Sequence, residues 1–122
     1  MKKIMIIDDE IDFLTIAKMN LEATGKYEIM TLLSGVDIIK YVAEFKPDII
    51  LLDIVMPIMD GITMLKELRK DKWGKDACVI MLTNLNESGK VSESLEKGVH
   101  DYLIKTDWSL KDLVKKVKRK LS

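Results

Sequence analysis

Three runs of four unbroken apolar residues limit what this chain can fold into: residues 4–7 (IMII), 49–52 (IILL) and 79–82 (VIML). A strand with one wet face alternates apolar and polar side chains, because successive residues point to opposite faces. An unbroken run needs apolar cover on both faces, the situation of inner strands in a parallel sheet with helices above and below. Residues 27–32 (YEIMTL) and 101–104 (DYLI) are mixed and weaker, as suits strands nearer the sheet edge.

Helical periodicity fills the intervals. Leu14, Ala17 and Leu21 share a face, as do Ile38, Val42 and Phe45, then Ile62, Leu65 and Leu68. A last helix repeats Leu110, Leu113, Val114, Val117 and Leu121. Gly25 stands where a glycine C-cap would close the first helix. Residues 87–97 offer only Val91 and Leu95 as an apolar stripe, so a helix there is the least firmly anchored. Five strands alternating with five helices, without a long linker, predict right-handed crossovers and a three-layer α/β/α domain spanning residues 1–122.

Composition narrows the function classes. Lysine plus arginine and aspartate plus glutamate number 20 each, so net charge favours neither a polyanionic nor a polycationic partner. The single Cys78 cannot form an intrachain disulfide, and inside ACVIMLT it reads as a small buried hydrophobe. No apolar run approaches the ~20 residues that span a bilayer, and no signal-peptide pattern opens the chain. The expectation is a cytoplasmic domain with no membrane partner.

Ligands of open α/β sheets sit beyond the carboxyl ends of the strands. The first apolar run leads into Asp8, Asp9 and Glu10, the third into Asp53, the fourth into Thr83 and the fifth into Lys105. Taken singly, each has a bland reading: a turn aspartate, an ordinary threonine, a solvated lysine. Jointly they put three acids, a hydroxyl and a cation on one rim. Neighbouring carboxylates repel unless a cation sits between them, and hard oxygen ligands suit Mg²⁺, which keeps several waters. Lys105 and Thr83 suit phosphoryl oxygens, and one of the carboxylates could itself accept the phosphoryl group. Glu10 reads as the start of the first helix, where negative charge is favourable.

The motifs IIDDE, LLDIVMPIMDG, MLT and YLIK, in this order and spacing, resemble the receiver domain of two-component response regulators, of the chemotaxis-regulator kind, over essentially the whole chain. The resemblance implies a flavodoxin-like, doubly wound five-stranded parallel sheet of order 2-1-3-4-5. It implies that Asp53 accepts a phosphoryl group from a phosphohistidine on a sensor histidine kinase or phosphotransfer protein. Asp9, Asp53 and the backbone carbonyl of Val55 would ligate Mg²⁺ directly, with Asp8 acting through metal-bound water. Lys105 would hold a phosphoryl oxygen, and Thr83 with Tyr102 would form the switch pair. Pro57 and Gly61 match the loop after the acceptor. Such a chain is a signalling switch, assisting only its own phosphorylation and autodephosphorylation. Its output would be a protein partner, or self-association, through residues 87–121. It is either a complete regulator or a receiver cut from a longer one.

The chain departs from the family pattern at three places. Thr106 follows Lys105 where a proline is usual, and Asn84 follows Thr83 where a small residue is usual. Val55 and Leu85, two residues beyond Asp53 and Thr83, are apolar and cannot orient an attacking water, which predicts a long-lived phosphoryl group. Other phosphoryl chemistries fit less well. No G-x-x-x-x-G-K-[ST] loop exists, and Asp53 is followed by Ile54 and Val55, not by the D-x-D of haloacid-dehalogenase-type phosphatases. The alternative is a receiver-like interaction module that is never phosphorylated. The lysines of the last helix interleave with its apolar stripe and read as a solvated face, not a nucleic-acid surface. Trp73 and Trp108 sit in polar contexts as either partner anchors or loop plugs, and His100 has no assigned role.

Overall fold

A computed structural model describes residues 1–36, 38–53, 61–72, 77–83, 101–104 and 110–121. The expected helix over 87–97, and Val55, Pro57, Trp73, Asn84, Leu85, His100, Lys105, Thr106 and Trp108, lie outside them.

The five anticipated strands are present as β1 (Lys2–Ile7), β2 (Tyr27–Leu32), β3 (Ile49–Asp53), β4 (Val79–Thr83) and β5 (Asp101–Ile104). They pair in parallel in the order β2-β1-β3-β4-β5. The continuous tetrads are the three inner strands, and the two mixed runs are the edges. Helices α1 (Ile11–Glu22), α2 (Ile38–Phe45), α3 (Gly61–Lys70) and α4 (Leu110–Leu121) account for the other described elements.

Strand parity divides the interior into two cores. Ile4 and Ile6 of β1, Ile49 and Leu51 of β3, and Ile80 and Leu82 of β4 face Leu14, Ala17 and Leu21 of α1 and Leu113 and Val117 of α4. Met5, Ile7, Ile50, Leu52, Val79 and Met81 face Ile38, Val42 and Phe45 of α2 and Met64, Leu65 and Leu68 of α3. Accordingly α1 lies beside α4, and α2 beside α3. Each inner strand thus feeds both cores, which is why its apolar run is unbroken. Burial of each such side chain contributes about 1.5–3 kcal/mol.

Local polar contacts fix the ends. Asp48 accepts the Lys3 N–H on its carboxylate at 2.7 Å and returns its own N–H to the Lys3 carbonyl at 2.7 Å, clamping the entry of β1 to that of β3. Gly25, at φ 72°, turns the chain out of α1, and its N–H donates to the Glu22 carbonyl at 3.0 Å. Gly35 is required by packing: a Cβ there would overlap the thioether of the fully buried Met64. Arg69 of α3 donates to the Ala77 carbonyl at 2.8 Å, tying the helix end to the approach of β4.

Candidate functional site

The register builds the site. Ile7 pairs with Leu52, so one residue further Asp8 leaves β1 beside Asp53, the last residue of β3. Asp53 in turn pairs with Leu82, and Thr83 with Ile104. The carboxyl ends of β1, β3, β4 and β5 therefore align along one rim, with Lys105 following directly on Ile104. Thr83 closes β4 and Tyr102 pairs with Met81 inside β5. The relation between their side chains lies outside the described residues, as does the position of Lys105.

The acids are placed as the spacing predicted, with one addition. Asp8 is 0% exposed and Asp53 3%, the two buried charged residues among those described. Asp9 and Glu10 are exposed. One carboxylate oxygen from each of Asp8, Asp9, Glu10 and Asp53 lies within 4.8 Å of the others. Asp8 is held from two sides. Its N–H donates to the Leu32 carbonyl at 3.0 Å, continuing the β1–β2 ladder, and its Oδ1 accepts the Glu10 N–H at 2.9 Å. That second bond folds the chain back at Asp9 and starts α1, with the Glu10 carbonyl accepting from Leu14 at 3.1 Å.

Glu10 is where the reading from sequence fell short. It does stand at the helix N-cap, but its side chain makes no capping hydrogen bond, and its carboxylate joins the aspartates. Only the tight Asp8–Glu10 turn brings it there. A hint was present in the sequence, since glutamate is not among the preferred N-cap residues.

Four acids converging on one point, two of them buried, suit a divalent cation. The all-oxygen donor set, open to solvent on the side of Asp9 and Glu10, matches Mg²⁺ with its retained waters. Beside the rim, Ile11, Leu14, Thr15, Met19, Thr31 and Leu33 line an open groove of about 520 Å³ on the α1–β2 side. Ile11 and Met19 are more than half exposed there. No helix among the described residues is long and apolar enough to cross a membrane.

Comparison with known proteins agrees with this geometry. The chain is 38% identical over 104 residues to the alkaline phosphatase synthesis transcriptional regulatory protein PhoP of Bacillus subtilis, covering 85% of this chain and 42% of that protein. It is 33% identical over 105 residues to the DNA-binding dual master transcriptional regulator RpaA of Synechocystis, covering 86% and 43%. The chain thus spans less than half the length of these curated relatives. Among solved structures, the chemotaxis protein CheY4 of Vibrio cholerae superposes with a TM-score of 0.88 at 26% identity, covering 98% of both chains. A two-component response regulator from Clostridium difficile superposes with a TM-score of 0.87 at 31% identity, covering 99% and 96%. Residues 4–118 match the response regulator receiver domain, and with the sheet order and the acidic rim already in place, the chain belongs to that family of two-component signalling switches.

Proposed function

We propose that residues 1–122 form one receiver domain that takes a phosphoryl group onto Asp53 in the presence of Mg²⁺. The observation that carries this reading is the buried pair Asp8 and Asp53, side by side at the ends of neighbouring inner strands, with Asp9 at the same point. Two buried carboxylates so placed are costly without a cation. Asp8, Asp9, Asp53 and the Val55 carbonyl would hold Mg²⁺, which when bound neutralises the carboxylates and the incoming phosphoryl oxygens.

The chain's own part is positioning. Asp53 ends a strand paired on both sides, so its carboxylate is presented from a rigid base. One of its oxygens bonds to phosphorus as the P–N bond of a donor phosphohistidine breaks, the imidazole leaving with the electron pair. Lys105 holds a phosphoryl oxygen, Thr83 donates its hydroxyl to another, and Tyr102 follows the threonine. The role is that of a switch and not a turnover enzyme. Beyond its own phosphorylation and autodephosphorylation, it catalyses nothing.

The donor is a sensor histidine kinase or phosphotransfer protein in the cytoplasm, docking over the groove beside Ile11 and Met19. The output is a protein partner, or a second copy, at the face formed by residues 87–121, without direct contact to nucleic acid. A small phosphodonor with Mg²⁺ tests the central step. Intact mass should rise by one phosphoryl group in the wild type and stay unchanged in Asp53→Asn. A wild type that gains nothing would instead indicate an unphosphorylated interaction module.

A further inference from the structure

We infer that Glu10 is a working member of the cation site, the carboxylate that sets how tightly the unphosphorylated domain holds a divalent ion. The inference rests on the reading of the rim as a Mg²⁺ site and adds a residue to it. Two observations lead there. One oxygen of Glu10 lies within 4.8 Å of oxygens from Asp8, Asp9 and Asp53. The same side chain stands at the N-cap of α1 yet caps none of its N–H groups. The place of a helix cap is filled by a residue that leaves the capping undone and turns its charge toward the aspartates.

The backbone explains why this placement is fixed. The Glu10 N–H donates to Asp8 Oδ1 at 2.9 Å, and Asp8 is anchored through its own N–H to Leu32. The Glu10 Cα is thereby tied to the buried acid, so its carboxylate cannot drift far along α1. Being exposed while Asp8 and Asp53 are buried, it closes the solvent side of the cluster. Mg²⁺ dehydrates reluctantly and is held by few carboxylates, so Glu10 acts on it through retained water. A negative charge at that range, partly screened by solvent, should tighten a divalent cation about fivefold.

The test uses the whole chain and Mn²⁺ as probe, with free ion read from its paramagnetic resonance signal. Glu10→Gln should weaken Mn²⁺ binding about fivefold at low salt, and the gap should narrow as salt rises. Glu10→Ser removes the charge but installs a preferred N-cap. It should show the same weaker binding in a protein at least as stable, which separates charge from folding. Asp12→Asn is the control. Asp12 lies in the first turn of the same helix but outside the four-carboxylate group, and its loss should leave the affinity within about twofold. Equal binding by wild type, Glu10→Gln and Glu10→Ser overturns the inference, as does a loss in Asp12→Asn matching that in Glu10→Gln. A wild type that binds no Mn²⁺ overturns the underlying reading of the rim as well.

Discussion

At the residue scale, backbone conformation gives the sharpest expectations. Lys46 ends α2 at φ 52°, a left-handed conformation that costs a side-chain-bearing residue about 1–2 kcal/mol. Lys46 is exposed. Replacing it by glycine should stabilise the fold by roughly 0.5–1 kcal/mol after the added freedom of the unfolded chain is counted, as a shift in urea midpoint would register. Gly35→Ala should act in the opposite direction. Its methyl group enters the space of the Met64 thioether, and overpacking of this kind costs about 1–3 kcal/mol. An unchanged urea midpoint would mean that Met64 moves aside freely. Phosphoryl lifetime belongs to this scale too. On the proposal that Asp53 is the acceptor, the apolar Val55 and Leu85, two residues beyond Asp53 and Thr83 in sequence, predict that phosphorylated protein dephosphorylates more slowly than Val55→Asn, timed by intact mass. The acids Asp8 and Asp53 were legible in the sequence because each directly follows an apolar tetrad, so strand end and site coincide. Glu10 was not, because its position depends on how sharply the chain turns at Asp9, which no periodicity records. Met64 was missed for a related reason: the spacing of Ile62, Leu65 and Leu68 already satisfied a helical face.

At the element scale, the inner strands were fully legible and the helices less so. A run apolar on both faces has one good home, and β1, β3 and β4 occupy it. Helix α1 shows the limit. Leu14, Ala17 and Leu21 are buried as their spacing required, yet Ile11, Ile16 and Met19 of the same helix are exposed. Hydrophobicity alone could not separate the two sets; the sheet decides which face is covered. Of the exposed set, Ile11 and Met19 border the groove next to the acids and yield a separable prediction. Met19→Asp should lower the rate of phosphotransfer from a cognate kinase about tenfold, the loss of one good interface anchor. Phosphorylation by a small donor should be unaffected, since Asp53 is untouched. Equal loss with both donors would mean that the substitution disturbs the fold. Helix α4 divides more cleanly. Leu113 and Val117 are fully buried, and Lys111, Lys115 and Lys118 on the same helix are exposed. Leu113→Ala should therefore cost about 2–5 kcal/mol.

For the whole molecule, cation binding and stability are linked. An ion that binds only the folded state adds roughly 2.7 kcal/mol at a hundredfold excess over its Kd, which for a chain of this size raises Tm by roughly 10 °C. Calorimetry with increasing Mg²⁺ should show that rise, and a chelator should reverse it. Asp53→Asn should flatten the response and raise Tm in the absence of cation, because one of two adjacent buried charges is gone. The two-faced inner strands carry a last consequence, for how the sheet finds its alignment. In a sheet with one wet face, a slip of one residue would turn polar groups inward, so the pattern itself forbids it. Residues 4–7, 49–52 and 79–82 hold no such pattern, and sliding by one position exchanges one apolar side chain for another. What punishes the slip lies at the ends, where the Asp48 carboxylate takes the Lys3 backbone N–H on one side and Asp8 lies by Asp53 on the other. A frame shift would drag a charge into oil. The acids of the rim thus serve as stops that tell β1 and β3 where to halt, so a neutral variant such as Asp8→Ala would remove one mark by which the sheet is ruled.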